Sequence, residues 1–259
     1  MATLNKDALY PTLASLAQQM DSKGNLITDI VEVLDETNEI LADMVFQQAN
    51  GDTHHKIAVR NGLPEAAWRI LYKGVKPSKS SVTQVSESMG MLEARSMVDT
   101  RLLKLHNNSA AWLAAEQRPF IEALNQQMAE TLWYNDGIIN DERFMGFAPR
   151  YSSLSAPNGK NIIDAGGTGS DNASIWLVIW GGQGCFGIYP KGSKAGIESK
   201  DIGINTVQDD EGGRFEVHEK LFMWDLGLCV RDWRRVVRIA NIDTTKLTKD
   251  LSTGANLAD

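Results

Sequence analysis

The fold is decided by two stretches, IWLVIWGGQGCFGIYPKG at residues 175–192 and FEVHEKLFMWDLGLCVRDWRRVVRIANID at residues 215–243. The first joins two apolar runs through glycines. The second interleaves hydrophobic, aromatic and arginine positions. Both patterns predict β-strands, near 174–180 and 185–190 and again within 214–242. Neither stretch holds a recognisable catalytic constellation. Much sheet without visible chemistry is typical of a protein that packs against copies of itself.

Composition bounds the possible classes of protein. The chain has 259 residues, of which 42% are hydrophobic and 23% charged, which is ample for one sizeable core or for one core with a smaller lobe. The net charge is −7. A protein that grips nucleic acid is usually basic, so we expect no tight binding to phosphate backbones. An acidic protein can still enclose DNA.

No motif predicts catalysis, a cofactor or a metal site. The four histidines form no HExxH pattern, no GxSxG is present, and no Cys or His spacing fits zinc. The glycines at 166–169 lack the spacing of a phosphate loop and predict a flexible connector. Cys185 and Cys229 lie in predicted strands among apolar neighbours, so we expect two buried free thiols. A disulfide would require the two strands to pair in the right register.

Targeting signals are not evident in the sequence. The N-terminus lacks a charged region followed by an apolar run, and the longest apolar run, 175–180, is too short to span a bilayer. We therefore expect a protein that is made and used in a reducing cytoplasm, without a membrane partner.

Helical periodicity predicts the remaining elements. The strongest pattern covers 109–134, where we expect a short helix, a bend near Arg118 caused by Pro119, and a main helix of about four turns. Turns rich in Gly and Asp are expected at 192–213. Further helices are expected at 1–24, at 26–42, at 89–105 and at the C-terminal end.

Residues 43–88 differ from their surroundings. Asn50-Gly51 is a hairpin signal, and the lysine- and serine-rich stretch 76–88 has little to bury. These features predict an exposed β-hairpin or extended loop. Trp68 lies there without a local core, so we expect its side chain to be buried against another chain.

Four arginines, Arg231, Arg234, Arg235 and Arg238, form the dense basic cluster. One interpretation has them contact nucleic-acid phosphates. The other pairs them with acidic groups of the same or a neighbouring subunit, because guanidinium suits bidentate ion pairs. Asp225 and Asp232 are acidic partners within the same stretch.

These residues resemble one family. IWLVIWGGQGCFGIYPKGSKAGI, FMWDLGLCVRDWRRVVRIANID, ALNQQMAETLWYND and ERFMGFAPRYSSL, in residues 175–197, 222–243, 123–136 and 142–154, are similar to major capsid proteins of tailed double-stranded DNA bacteriophages. The resemblance runs from about residue 26 to the end. It implies an α+β Hong Kong 97-like capsid fold with an N-terminal arm, an extended E-loop, a P domain with a long spine helix, and an A domain.

The resemblance also implies a domain map. Residues 1–25 would be the N-terminal arm, 26–42 a helix that leads into the E-loop, and 43–88 the E-loop. Residues 89–259 would hold the P domain, with the spine helix at 109–134 and a β-sheet, and part of the A domain. Relatives are expected to continue beyond Asp259, which implies an incomplete A domain here.

The implied function is that of a non-enzymatic shell subunit. Hexamers and pentamers would tile an icosahedral shell around double-stranded DNA without sequence-specific binding, in a virion assembled in the host cytoplasm. The E-loop would lap over a neighbouring copy and bury Trp68, Ile70 and Tyr72, while Pro119 would bend the spine helix as a precursor shell expands. Scaffold, portal and decoration proteins are further candidate partners. The alternatives are a tail-tube or decoration subunit, and an enzyme with a dispersed active site.

Overall fold

The computed structural model describes residues 10–11, 38–105, 109–168, 171–209 and 211–244. Apart from residues 10–11, the helix predicted at 1–24 lies outside these residues. So do the helix predicted at the C-terminal end and most of 26–42. The described residues form four α-helices and nine strands, so the predicted α+β class is confirmed. The helices are α1 (Glu39–Asp43), α2 (Thr100–Leu105), α3 (Ser109–Tyr134) and α4 (Phe147–Arg150). The strands are β1 (Phe46–Gln48), β2 (His54–Gly62), β3 (Ser81–Asp99), β4 (Ile162–Asp164), β5 (Asn172–Val178), β6 (Cys185–Tyr189), β7 (Glu198–Gln208), β8 (Arg214–Val230) and β9 (Val236–Asp243).

The chain divides into two compact units. Unit 1 comprises Met1–Leu41, Met91–Glu130 and Gly196–Asp225. Unit 2 comprises Ala42–Gly90, Thr131–Ala195 and Leu226–Asp259. The boundaries fall inside β3, α3 and β8, so three long elements each contribute residues to both units.

Strand pairing defines two sheets. The larger has the order β1-β6-β8-β3-β2, and β7 also pairs with β8. β2 and β3 form an antiparallel hairpin from His54 opposite Ser88 to Gly62 opposite Ser81. The smaller sheet, in unit 2, has the order β4-β9-β5. The strands predicted near 174–180, near 185–190 and within 214–242 are thereby confirmed.

Three local predictions were wrong. The helix expected at 89–105 is the second half of β3 followed by α2, because pairing along the sheet overrides the helical pattern of its methionines and leucines. The turns expected at 192–213 contain β7, whose polar, exposed edge hid its pairing with β8. Asn50-Gly51 does not close a hairpin, because β1 pairs with β6 and β2 with β3.

The helix predicted at 109–134 is confirmed as α3, but as one helix of 26 residues that contains Pro119. The expected short helix ahead of a main helix is therefore wrong. In unit 1, Trp112 of α3 packs with Val98 and Leu102 in a buried cluster. Phe120 stacks on Phe222 of β8 with ring centroids 6.1 Å apart. These contacts offset the backbone hydrogen bond that a proline inside a helix removes.

Aromatic rings fill the core of unit 2. The ring of Phe147 lies 5.4 Å from that of Trp133 and 5.9 Å from that of Trp176. Trp180 and Tyr151 extend the cluster at 6.1 and 6.0 Å. Such tilted and edge-on pairs stabilise beyond the area they bury, by about 0.5–1.5 kcal/mol each. Three of the seven tryptophans, Trp133, Trp176 and Trp180, therefore pack in this cluster.

The loop after α3 packs tightly against the end of that helix. Asn135 donates from Nδ2 to the carbonyl oxygen of Phe144 at 2.8 Å, and the amide of Gly146 donates to the carbonyl oxygen of Asn135 at 2.9 Å. A Cβ on Gly146 would lie 2.6 Å from the carbonyl oxygen of Thr131. Glycine is therefore required for this close approach.

The two cysteines are free and buried, as predicted. Cys229 lies opposite Phe186 in the β6–β8 ladder, while Cys185 lies opposite Val230. Side chains alternate between the two faces of a strand, so the thiols point to opposite faces of the sheet. This register excludes a disulfide between them.

Candidate assembly surface

The β2–β3 hairpin ends in a long, exposed segment. The last paired residues are Gly62 and Ser81. We call residues 63–80 the hairpin tip. Residues 63–79 are all exposed, including Trp68 at 103% and Tyr72 at 101% of their reference areas. The other large apolar side chains exposed there are Leu63, Ile70, Leu71 and Val75. Contiguous apolar surface of this kind marks an interaction site.

A tight turn displays these side chains. The amide of Lys73 donates to the carbonyl oxygen of Ile70 at 3.2 Å, and Nε of Arg69 donates to the carbonyl oxygen of Lys73 at 3.1 Å. Tyr72 adopts φ 68°, in the left-handed region that disfavours a residue with a Cβ. The backbone of Tyr72 is therefore strained, while its side chain is fully exposed to solvent and packs against no other part of the described chain.

An ion pair holds the base of the hairpin in unit 2. Nη1 and Nη2 of Arg150, at the end of α4, donate to Oε1 and Oε2 of Glu87 on β3 at 2.7 and 2.6 Å. Their side chains keep only 16% and 9% of their exposure. Burial alone would lower the pKa of Arg150, but the hydrogen bond and charge of Glu87 raise it. This pair is not predictable from local sequence patterns, because 63 residues separate its members.

Two of the four predicted arginines meet a carboxylate. Arg234 donates from Nε to Oδ1 of Asp232 at 2.9 Å and from Nη2 to Oδ2 at 2.9 Å. Nε of Arg235 lies 3.9 Å from Oδ2 of Asp232. The hydrogen bond from Arg234 lowers the pKa of Asp232 below its usual value. Both pairs are local, within the turn before β9.

The other two arginines contact uncharged oxygens. Arg231 donates from Nη1 to the carbonyl oxygen of Gly182 at 3.2 Å. Arg238 donates to the carbonyl oxygen of Tyr151 at 2.8 Å and lies 5.1 Å from the ring centroid of Trp176. Burial lowers the pKa of Arg238. Pairing of these arginines with a neighbouring subunit stays a prediction, as does the bend at Pro119.

The described residues contain no group of His, Cys, Asp and Glu side chains that could hold a metal ion. Among the same residues, no helix combines the length and apolar character needed to cross a membrane.

Solved structures share this fold. A structure of bacteriophage Epsilon15 is 32% identical to the chain, with a TM-score of 0.77, over 98% of this chain and 77% of that one. The holo-SrpI encapsulin complex from Synechococcus elongatus is 12% identical over 87% of this chain and 95% of that one, with a TM-score of 0.57. The capsid of Myoviridae phage XM1 is 8% identical over 83% and 94%, with a TM-score of 0.52. The last two show the fold alone.

Fold and surface together define a phage capsid protein with a Hong Kong 97-like fold. The family model for the major capsid protein GP7 matches residues 21–259, so the chain belongs to that family. No curated protein matches it. The prediction of a virion structural protein that forms an icosahedral shell is confirmed, and nothing favours the tail-tube, decoration or enzyme alternatives.

Proposed function

We propose that copies of this chain join as hexamers and pentamers in which the hairpin of one copy lies over its neighbour. The observation that carries this proposal is the full exposure of Trp68 and Tyr72 at the end of a long, paired hairpin. Residues 43–88 then act as the E-loop, and Trp68, Ile70 and Tyr72 become buried between chains.

The energetics favour this arrangement. A buried aromatic side chain removes about 150–250 Å² from water. At about 25 cal/mol per Å², each ring contributes roughly 4–6 kcal/mol before the costs of ordering and association. Every copy donates one tip and receives one. The same contact therefore recurs around the shell, and a modest free energy for each contact suffices for assembly.

The remaining domain assignments follow the same proposal. Residues 1–25 form the N-terminal arm and 26–42 lead into the E-loop. Residues 89–259 contain the P domain, with its spine helix at 109–134, and part of the A domain. Pro119 supplies the bend point of the spine helix when a precursor shell expands, because its position lacks one helical hydrogen bond.

The protein has a structural and not a catalytic role in this proposal. It assembles in the host cytoplasm, encloses double-stranded DNA without reading its sequence, and meets scaffold, portal and decoration proteins during assembly. The net charge of −7 supports loose enclosure, since an acidic subunit repels phosphates. Arg231, Arg234, Arg235 and Arg238 add ion pairs within or between subunits.

Electron microscopy of the purified protein tests the proposal. At high protein concentration we expect closed shells or capsomers with five- and six-fold symmetry. Tubes, or a monomer that stays monomeric under all conditions that favour assembly, would contradict it.

A further inference from the structure

The hairpin tip differs from the rest of the chain in charge as well as in exposure. Residues 63–80 carry one acidic side chain, Glu65, and four basic ones, which gives 4 − 1 = +3, while the whole chain carries −7. The basic residues are Arg69, Lys73, Lys76 and Lys79. None of these four forms an ion pair within the part of the chain that the structure describes. A surface that is both apolar and basic fits a partner surface that is apolar and acidic.

Unit 1 presents such a surface. Glu198 of β7 lies one strand away from Asp225 of β8, since Glu198 pairs with Met223. Glu93 of β3 shares this face, because Arg95, two residues further along β3, donates to Glu219 of β8 at 2.9 Å, and Glu219 and Asp225 lie on the same face of β8. The three carboxylates form one group. Burial raises the pKa of Asp225, and the charges of Glu93 and Glu198 raise it further. The negative charges of these carboxylates therefore repel one another. Among the described residues, none of the three forms an ion pair.

Methionine gives this surface an apolar contact for aromatic rings. Met91 is 79% exposed and precedes Glu93 by two residues on β3, so the two side chains share a face of the strand. Thioether sulfur packs favourably against aromatic rings. The aromatic rings of Trp68 and Tyr72 in the tip are fully exposed and could pack against this thioether.

Several other acidic groups are already engaged within the chain. Glu219 is bound by Arg95 at 2.9 Å, and Asp201 lies 3.5 Å from His218. Asp209 accepts hydrogen bonds from the amides of Glu211 and Gly213. Glu87 and Asp232 are held by arginines. The group of Glu93, Glu198 and Asp225 combines mutual repulsion with freedom to accept a cation.

We propose that the basic hairpin tip of one copy docks on the surface formed by Met91, Glu93, Glu198 and Asp225 of a second copy. This inference rests on the proposed function, in which the hairpin crosses to a neighbour. Lysine and arginine of the tip neutralise carboxylates that repel one another in the free subunit. The rings of the tip cover the exposed thioether.

Charge reversal on each side tests the proposal. One variant carries K73E, K76E and K79E, a second carries E93K, E198K and D225K, and a third carries all six substitutions. Sedimentation measures the fraction of protein in closed shells, and circular dichroism checks the fold of each unassembled subunit. We expect each triple variant to lower the assembled fraction by about tenfold or more, since like charges then face each other. The variant with all six substitutions should regain assembly.

If charge reversal disturbs folding, a set of milder variants tests whether the tip docks on the acidic surface. E93Q, E198Q and D225N together keep the shape of the surface and remove its charge, so we expect weaker assembly that responds less to added salt. Wild-type assembly with unchanged salt dependence would overturn the inference. So would a folded variant with six substitutions that fails to regain assembly.

The outcome for Trp68→Ala distinguishes failure of the proposed function from failure of the proposed docking surface. Normal assembly of Trp68→Ala would remove the proposed function and this inference together. Loss of assembly in Trp68→Ala, with wild-type assembly in the charge-neutral variant, would leave the hairpin contact in place and overturn its acidic partner alone.

Discussion

Arg150 and Glu87 meet through two parallel hydrogen bonds of 2.7 and 2.6 Å and are both largely buried. The same guanidinium donates to the carbonyl oxygens of Met145 and Leu228 at 3.2 and 3.4 Å. One side chain thus ties the hairpin strand β3, the loop before α4 and β8 together within unit 2. The hairpin tip extends from this fixed base.

Removal of one partner should destabilise unit 2. Arg150→Met leaves a buried carboxylate without its cation, a change that typically costs about 3–5 kcal/mol. Urea denaturation of the unassembled subunit measures the loss. Glu87→Gln together with Arg150→Met should cost less than the sum of the two single changes. As a control, Arg143→Met alters a surface arginine 3.9 Å from Glu142 and should change stability by about 0.5 kcal/mol or less. Equal effects for Arg143 and Arg150 would show that the pair does not anchor the hairpin.

Trp68→Ala should impair assembly and leave folding intact. The side chain is fully exposed, so its removal takes no contact from the core of the subunit. Trp112→Ala is the matched control, because Trp112 is fully buried and its truncation should cost about 3–5 kcal/mol. Thermal melts and sedimentation of both variants measure the two properties separately. A lower melting temperature for Trp68→Ala would place the tip inside the fold of its own subunit.

The thiols should resist modification in the folded subunit. Burial raises the pKa of Cys229 to about 12 and that of Cys185 above its usual value, so neither is a thiolate at pH 8. We expect no reaction with a thiol reagent in native buffer and two equivalents of reaction in urea. Rapid labelling of the native protein would contradict the observed packing of β6 against β8.

Asp225→Asn should stabilise the free subunit and weaken assembly. Burial first, and then Glu93 and Glu198, raise the pKa of Asp225 in the folded state. Because its pKa is higher in the folded than in the unfolded state, Asp225 contributes to folding stability at pH values below its unfolded pKa of about 3.9. This contribution is lost as the pH rises through its folded-state pKa. At pH 7 the free energy of unfolding of the asparagine variant should therefore exceed that of wild type by roughly 0.2–1 kcal/mol, the typical energy of a charge pair across neighbouring strands. The difference should vanish near pH 3. Denaturation at several pH values checks the trend, and a variant that is less stable at pH 7 would contradict it.

Patterns that span a few residues made part of this fold predictable. α3 was visible because Leu124, Met128 and Leu132 recur at four-residue spacing and are all buried. The hairpin was visible because residues 76–88 offer little to bury and Trp68 lacks a local core. Both features depend on residues that are close together in sequence, so periodicity and composition are enough to predict them.

Elements that depend on contacts between residues distant in sequence could not be predicted in this way. The second half of β3 contains methionine, leucine, glutamate and arginine, which favour helices, and its strand form depends on the sheet it joins. β7 is polar and exposed along most of its length, so only its pairing with β8 identifies it as a strand. The surface at Glu93, Glu198 and Asp225 combines β3 with β7 and β8, and β7 begins roughly 100 residues after the end of β3.

A cryo-electron microscopy reconstruction of shells assembled from the purified chain would show directly where the side chain of Trp68 lies. We predict that its indole is buried against a neighbouring copy in every subunit, with the β2–β3 hairpin crossing the boundary between chains. Closed shells in which Trp68 stays in solvent, or folds back onto its own subunit, would contradict it.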